Sequence, residues 1–204
     1  MLSERQVHKS QKTTLWDLGN KILYELCEKY PYHDNNDQII AKIWLIGRSY
    51  SAAIERRKTV SEANDTFYTE TVAPTLKRSK IDEWLEYLSK FRFPTEDNIK
   101  EILTVHKKTM DIFEKITGMN KRSLASKYLH FHKPTLFFLY DSRASEAIRS
   151  LTEPIGKLAF SKANVDPEYA RFCLRCIQLR KEIKEEFNVH LTPRQIDNIL
   201  LSFL

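Results

Sequence analysis

Apolar residues recur every three or four positions through most of this chain, and only four glycines in 204 residues interrupt them. That period repeats one face of an α-helix, whereas a half-buried strand alternates every second residue. The sequence therefore predicts an all-α protein. Hydrophobic residues at 42% and aromatic residues at 11% supply a core and argue against disorder. The length suits a single compact helical domain over residues 1–204, or two small lobes sharing a cleft.

Residues 1–10 are polar and read as a frayed end. Thr14 is placed to cap a helix whose core face uses Leu15, Leu18, Ile22 and Leu26. The run 34–37 caps a second helix from Ile39 to about Ile46, apolar nearly all round and hence central. Gly47–Ser51 breaks that run, and a further helical stretch is expected over Ala52–Lys58. Helices are also expected from Pro74, around Ile81–Leu88, and over Ile99–Ile116 as one or two pieces. Residues 152–166 read as a hinge with a short helical piece. Tyr169–Phe187 follows as a long amphipathic helix, and Thr192-Pro193 opens the last one.

Charge is concentrated. The total is 33 − 27 = +6, yet Ile116–Arg149 carries six Lys/Arg against two acids and Lys42–Lys58 five against one. The rest of the chain therefore sums to −2. Two such patches point to a localised surface for a polyanion. Within Ile116–Arg149, Thr117-Gly118-Met119-Asn120 favours a sharp turn, because Gly and Asn most readily take φ > 0. Lys121, Arg122 and Ser123 then open a helix, where unpaired N–H groups face anions. Pro134 stops that helix, an apolar stretch Leu136–Tyr140 follows, and Asp141 starts another.

This order resembles the core of the helix-hairpin-helix DNA glycosylases, the endonuclease III and oxoguanine glycosylase superfamily, whose hairpin reads roughly L-P-G-h-G-x-K-[TS]-A. Gly118 matches the first hairpin glycine and Asn120 replaces the second. Arg122 stands where lyase-type members carry a nucleophilic lysine. Asp141, at 141 − 122 = 19 positions further on, stands at the catalytic Asp. The resemblance implies a two-lobed helical fold with an interlobe cleft and a helix-hairpin-helix element over residues 112–133. It implies double-stranded DNA as partner and base excision as activity, with no cofactor; the family's four-cysteine iron–sulfur loop is absent. Arg48 and Tyr50 correspond in position to the family's turn facing the flipped base, or alternatively cover a helix end.

Excision of a base needs a carboxylate near the sugar, to stabilise charge at C1′ or activate a water. Asp141 is the residue for that role, compatible with being a helix N-cap. Arg122 forms no Schiff base, since it stays protonated, so a monofunctional, water-using enzyme is expected. Gly118, Asn120, Lys121, Arg122, Ser123, Lys127, Arg48, Tyr50 and His130 are the expected DNA contacts. His130 and His132 alternatively bind carbonyls at their helix end. Two other classes stay open: a nucleic-acid-binding or defence accessory protein of this fold without chemistry, and a helical protein-interaction module. An Arg–His ribonuclease spacing is not found around Arg122. Cys27, Cys173 and Cys176, an odd count without a second pair, read as buried thiols rather than metal ligands. No metal is expected, and the absence of a signal peptide or membrane-length apolar run suggests the cytoplasm.

Overall fold

The computed structural model describes residues 2–160 and 164–203, and every regular element among them is helical. Helix α1 spans Glu4–Ser10. Ser3 and Gln6 form a reciprocal capping box at its start, and Val7 is fully buried. The expected frayed end is therefore a helix: the cap satisfies the first N–H groups and one apolar residue anchors it. α1 lies on the last helix, where Asn198 donates to the Ser10 carbonyl at 3.1 Å.

α2 spans Asp17–Lys29. It begins three residues later than Thr14, whose N–H and hydroxyl instead donate to the Asp17 carboxylate at 2.6 and 2.9 Å. The expected core face is also corrected. Leu15, Leu18 and Ile22 are 98%, 72% and 54% exposed, while Asn20, Leu23 and Cys27 face inward. The helical period was right and the buried stripe lies one face over, held by a polar contact: Tyr50 Oη donates to Asn20 Oδ1 at 2.7 Å.

α3, Asn36–Ser49, is capped by Asn35, which accepts from the N–H groups of Asp37 and Gln38. Ile39, Ile43 and Ile46 are fully buried, whereas Trp44 is 45% exposed, so the helix buries one face rather than its whole circumference. It continues through Gly47, because the following chain folds back onto that residue. A Cβ at Gly47 would sit 3.2 Å from Ala53 Cα. Ser51 takes a left-handed φ of 52°, and Ala52 N–H bonds the Gly47 carbonyl at 2.8 Å. Residues 52–58 consequently run as a loop, not the expected helix.

A helical segment follows: α4 (Asn64–Thr66), a π-helical turn (Phe67–Val72) and α5 (Ala73–Lys77). α6 is Ile81–Leu88, and α7 is one helix, Ile99–Thr117, closed by Gly118 at φ 68°. α8 (Arg122–His132) buries every residue from Leu124 to Phe131 against α2, α3 and α7. The helix read as basic is thus the innermost one. α9 (Ser142–Leu151) is capped by Asp141, α10 (Pro167–Phe187) by Asp166, and α11 (Pro193–Ser202) by a Thr192–Gln195 capping box. No helical piece occurs within 152–160; residues 161–163 of the expected hinge lie outside the described residues.

Candidate functional site

The two basic stretches of the sequence meet in space. Lys58 N–H donates to the Thr117 carbonyl at 2.8 Å, and Lys58 Cβ lies 3.2 Å from where a Gly118 Cβ would be. Lys121 Nζ reaches the carbonyls of Ala53, at 3.2 Å, and Arg56. Loop 52–58 therefore packs along the turn between α7 and α8. Arg56, Lys58, Gly118 and Asn120 are exposed there, and Asn120 Oδ1 caps α8 by accepting the Arg122 N–H at 3.0 Å.

Several expected DNA contacts are used inside the protein instead. Lys121 is buried, and burial pulls its ammonium down to about 8. Arg122 forms a bidentate pair with Asp166, Nε and Nη2 donating at 2.5 and 2.8 Å. Ser123 Oγ accepts from Lys127 at 2.8 Å. Lys127 and His130 are fully enclosed. Arg48, on α3, pairs with Glu55 yet keeps an exposed side chain. For the residues of α8 and its start the physical reason is shared: α8 crosses the core, where carbonyls and carboxylates need donors and no water supplies them. In this conformation Lys121, Arg122, Lys127 and His130 are structural cations and donors, not surface groups offered to a phosphate.

Three sequence-predicted residues from separate segments do come together. Lys127 Nζ donates to the Tyr140 carbonyl at 2.5 Å and lies 3.5 Å from Asp141 Oδ2. It also sits 5.9 Å from the centre of the Tyr50 ring. Asp141 Oδ1 accepts the Ala144 N–H at 2.9 Å, yet its side chain keeps 38% exposure. One carboxylate oxygen is thereby fixed by the helix start while the group still faces solvent.

Behind this cluster stand residues that sequence reasoning missed. Asp197 on α11 is buried beside Arg194; burial pushes its carboxyl up to about 6, against the pull of Arg194 and Lys127. The nearby Asp141 charge raises it further. Tyr24 Oη donates to His130 Nε2 at 2.7 Å, and His130 Nδ1–H donates to the Phe137 carbonyl at 2.7 Å. Burial holds Tyr24 up near 12 and His130 down at about 4. The arrangement pairs an open carboxylate with a buried, protonatable one around a lysine, a pattern that separates acid and base roles. One signal was present: Asp197 interrupts the apolar stripe Ile196, Ile199 and Leu200, where an unpaired acid would be costly.

A second polar network lies across α8. His33 Nδ1–H donates to Asp82 at 2.5 Å, Tyr128 Oη donates to His33 Nε2 at 2.6 Å, and His132 stacks on His33 with ring centres 5.2 Å apart. Lys42, also enclosed, donates to the carbonyls of Tyr30 and Tyr32 at 2.7 and 2.8 Å. These contacts tie α2, α3, α6 and α8 together. Cys27, Cys173 and Cys176 are buried free thiols, as the sequence suggested. Among the described residues no three His, Cys, Asp or Glu side chains gather to hold a metal ion, and no helix is long and apolar enough to cross a membrane. Comparison with known protein families, curated proteins and solved structures finds no match, so the functional reading rests on this geometry.

Proposed function

We propose that this protein binds duplex DNA through the turn between α7 and α8 and removes a base by water-dependent hydrolysis, with Asp141 as the catalytic carboxylate. In this reading α7, Gly118 and α8 form a helix-hairpin-helix element, and the cluster around Asp141 lines a cleft between two lobes. The observation that carries it is the convergence of Tyr50, Lys127 and Asp141, drawn from three separate segments, around a carboxylate that stays solvent-accessible. Asp141 stabilises positive charge developing at the sugar or orients the attacking water. Asp197 lies buried behind the cluster, paired with Arg194. Arg122 positions α8 against α10 through Asp166 and takes no chemical step.

DNA binding falls to groups other than the enclosed lysines. The exposed Asn120 turn meets one phosphate, and Arg56 and Lys58 flank it, while the Gly118 amide stays with the Glu114 carbonyl at 2.7 Å. Replacing both cations, Arg56→Gln with Lys58→Gln, is expected to weaken binding to all sequences alike. The slope of log affinity against log salt should fall by about 2. Equal affinity and slope for wild type and this variant, measured by titration at two salt concentrations, would reject the assigned surface.

A binding protein without chemistry is the second reading. The 3.5 Å approach of the Lys127 ammonium favours it, because Asp141 is then engaged as a structural ion pair and helix cap. Tight duplex binding with no base released selects it.

A further inference from the structure

One strongly charged feature lies outside the Asp141 cluster and the hairpin turn. Between α5, α6 and α7 an open groove of about 360 Å³ is walled by Arg78, Lys80, Trp84, Ile112 and Lys115. Lys108 joins them, its ammonium 5.1 Å from the centre of the Trp84 ring. No acid is among the groove's lining residues, although Lys80 shares an exposed contact with Glu83 at 3.5 Å. On α7, Lys108, Ile112 and Lys115 recur at four and three positions and so share one face. Lys115 is three residues from Gly118, so the groove ends within one helical turn of the hairpin. From Lys108 to Gly118 the helix rises roughly 15 Å, about four base-pair steps of a duplex.

We infer that this groove takes the phosphate backbone of the DNA that flanks the hairpin, extending the contact along α7. The inference rests on the proposed DNA binding and adds a second, separately removable surface to it. Phosphate oxygens meet Arg78 and Lys115 across the groove, while Lys108 adds charge beside the Trp84 wall. Such contacts position the duplex and carry no sequence information. The groove is unsuited to an acidic protein that binds by apolar anchors, since Ile112 is its one aliphatic wall apart from Thr75 and the Trp84 ring.

The test uses the full chain and an undamaged duplex, with binding titrated over a range of salt. Arg78→Gln combined with Lys115→Gln should weaken binding about tenfold at low salt and lower the salt slope by about 2. Both side chains project from the surface, and unchanged thermal unfolding confirms an intact fold. Removing two cations elsewhere, Lys9→Gln with Lys12→Gln, should leave the slope unchanged. Binding should also alter tryptophan fluorescence, and Trp84→Phe should remove most of that change while affinity holds. If the Arg56/Lys58 variant loses affinity and the groove variant matches wild type, the groove inference is overturned and the hairpin reading stands. Equal losses from the Lys9/Lys12 pair and the groove pair would overturn it as well. Wild type that binds no duplex overturns both.

Discussion

Asp141→Asn is expected to reduce base release by a factor of about 10²–10⁴, the usual contribution of a positioned acid–base group. The fold should survive the change. Asparagine caps helices about as well as aspartate, so the bond to the Ala144 N–H is kept. Lys127 also retains the Tyr140 carbonyl and Ser123 hydroxyl as acceptors. Duplex binding should hold or tighten, because a negative charge leaves the DNA-facing surface. Loss of rate without loss of affinity separates chemistry from binding. Full base release by the variant would show that another group carries the reaction.

Stability should collapse on acidification below about pH 6. His106 and His130 are enclosed, and burial holds each down at about 4. His33 and His132 are lowered for the same reason, although Asp82 resists the shift at His33. In the unfolded chain all four titrate near 6.5, so between 6.5 and 4 the unfolded state takes up protons that the folded state refuses. Each of His106 and His130 contributes stability present above 6.5 and lost as pH falls toward 4, roughly 3 kcal/mol per site. Asp197 works in the opposite sense. Its raised carboxyl binds a proton in the folded state first, which supports the fold at low pH and offsets about one histidine. The net loss from His106, His130 and Asp197 is about 3 kcal/mol, and His33 and His132 add to it in the same direction, against a whole-domain stability of about 5–15 kcal/mol. The thermal midpoint should therefore drop steeply from pH 7 to pH 4.5. A flat profile over that interval would show that these histidines are not held neutral.

Much of the helical framework was legible because caps and periodicity are local. Asn35, Asp141, Thr192 and the Gly118 stop all act within a few residues of the ends they define. What failed depended on contacts distant in sequence. The face α2 buries is chosen by Asn20 meeting Tyr50, thirty residues away, while the stripe of Leu15, Leu18 and Ile22 looked equally suited to a core. Loop 52–58 has helix-forming residues, yet the left-handed turn at Ser51 and the close approach to Gly47 send it back across the hairpin.

At the site, residue type misled. Lysines are seldom enclosed, so Lys42, Lys121 and Lys127 read as surface charge. Each instead donates to carbonyl groups supplied by other segments. The N-cap at Asp141 was legible because the cap acts on the Ala144 N–H only three residues on. Asp197 and Arg194 pair locally within α11, but their place behind Asp141 required the packing of α11 against α9, which lies far off in sequence.

The central claim, hydrolytic base removal at Asp141, is tested most directly by incubating the wild-type protein with a panel of duplexes carrying damaged or modified bases, with borohydride present. Free base and covalent protein–DNA adduct are read together. The account predicts released base and an abasic strand with no trapped adduct, since Arg122 has no free amine and Lys127 is locked against its oxygen acceptors. A trapped adduct would contradict the hydrolytic mechanism, and no base released from any duplex would contradict the assignment of Asp141 as a catalytic group.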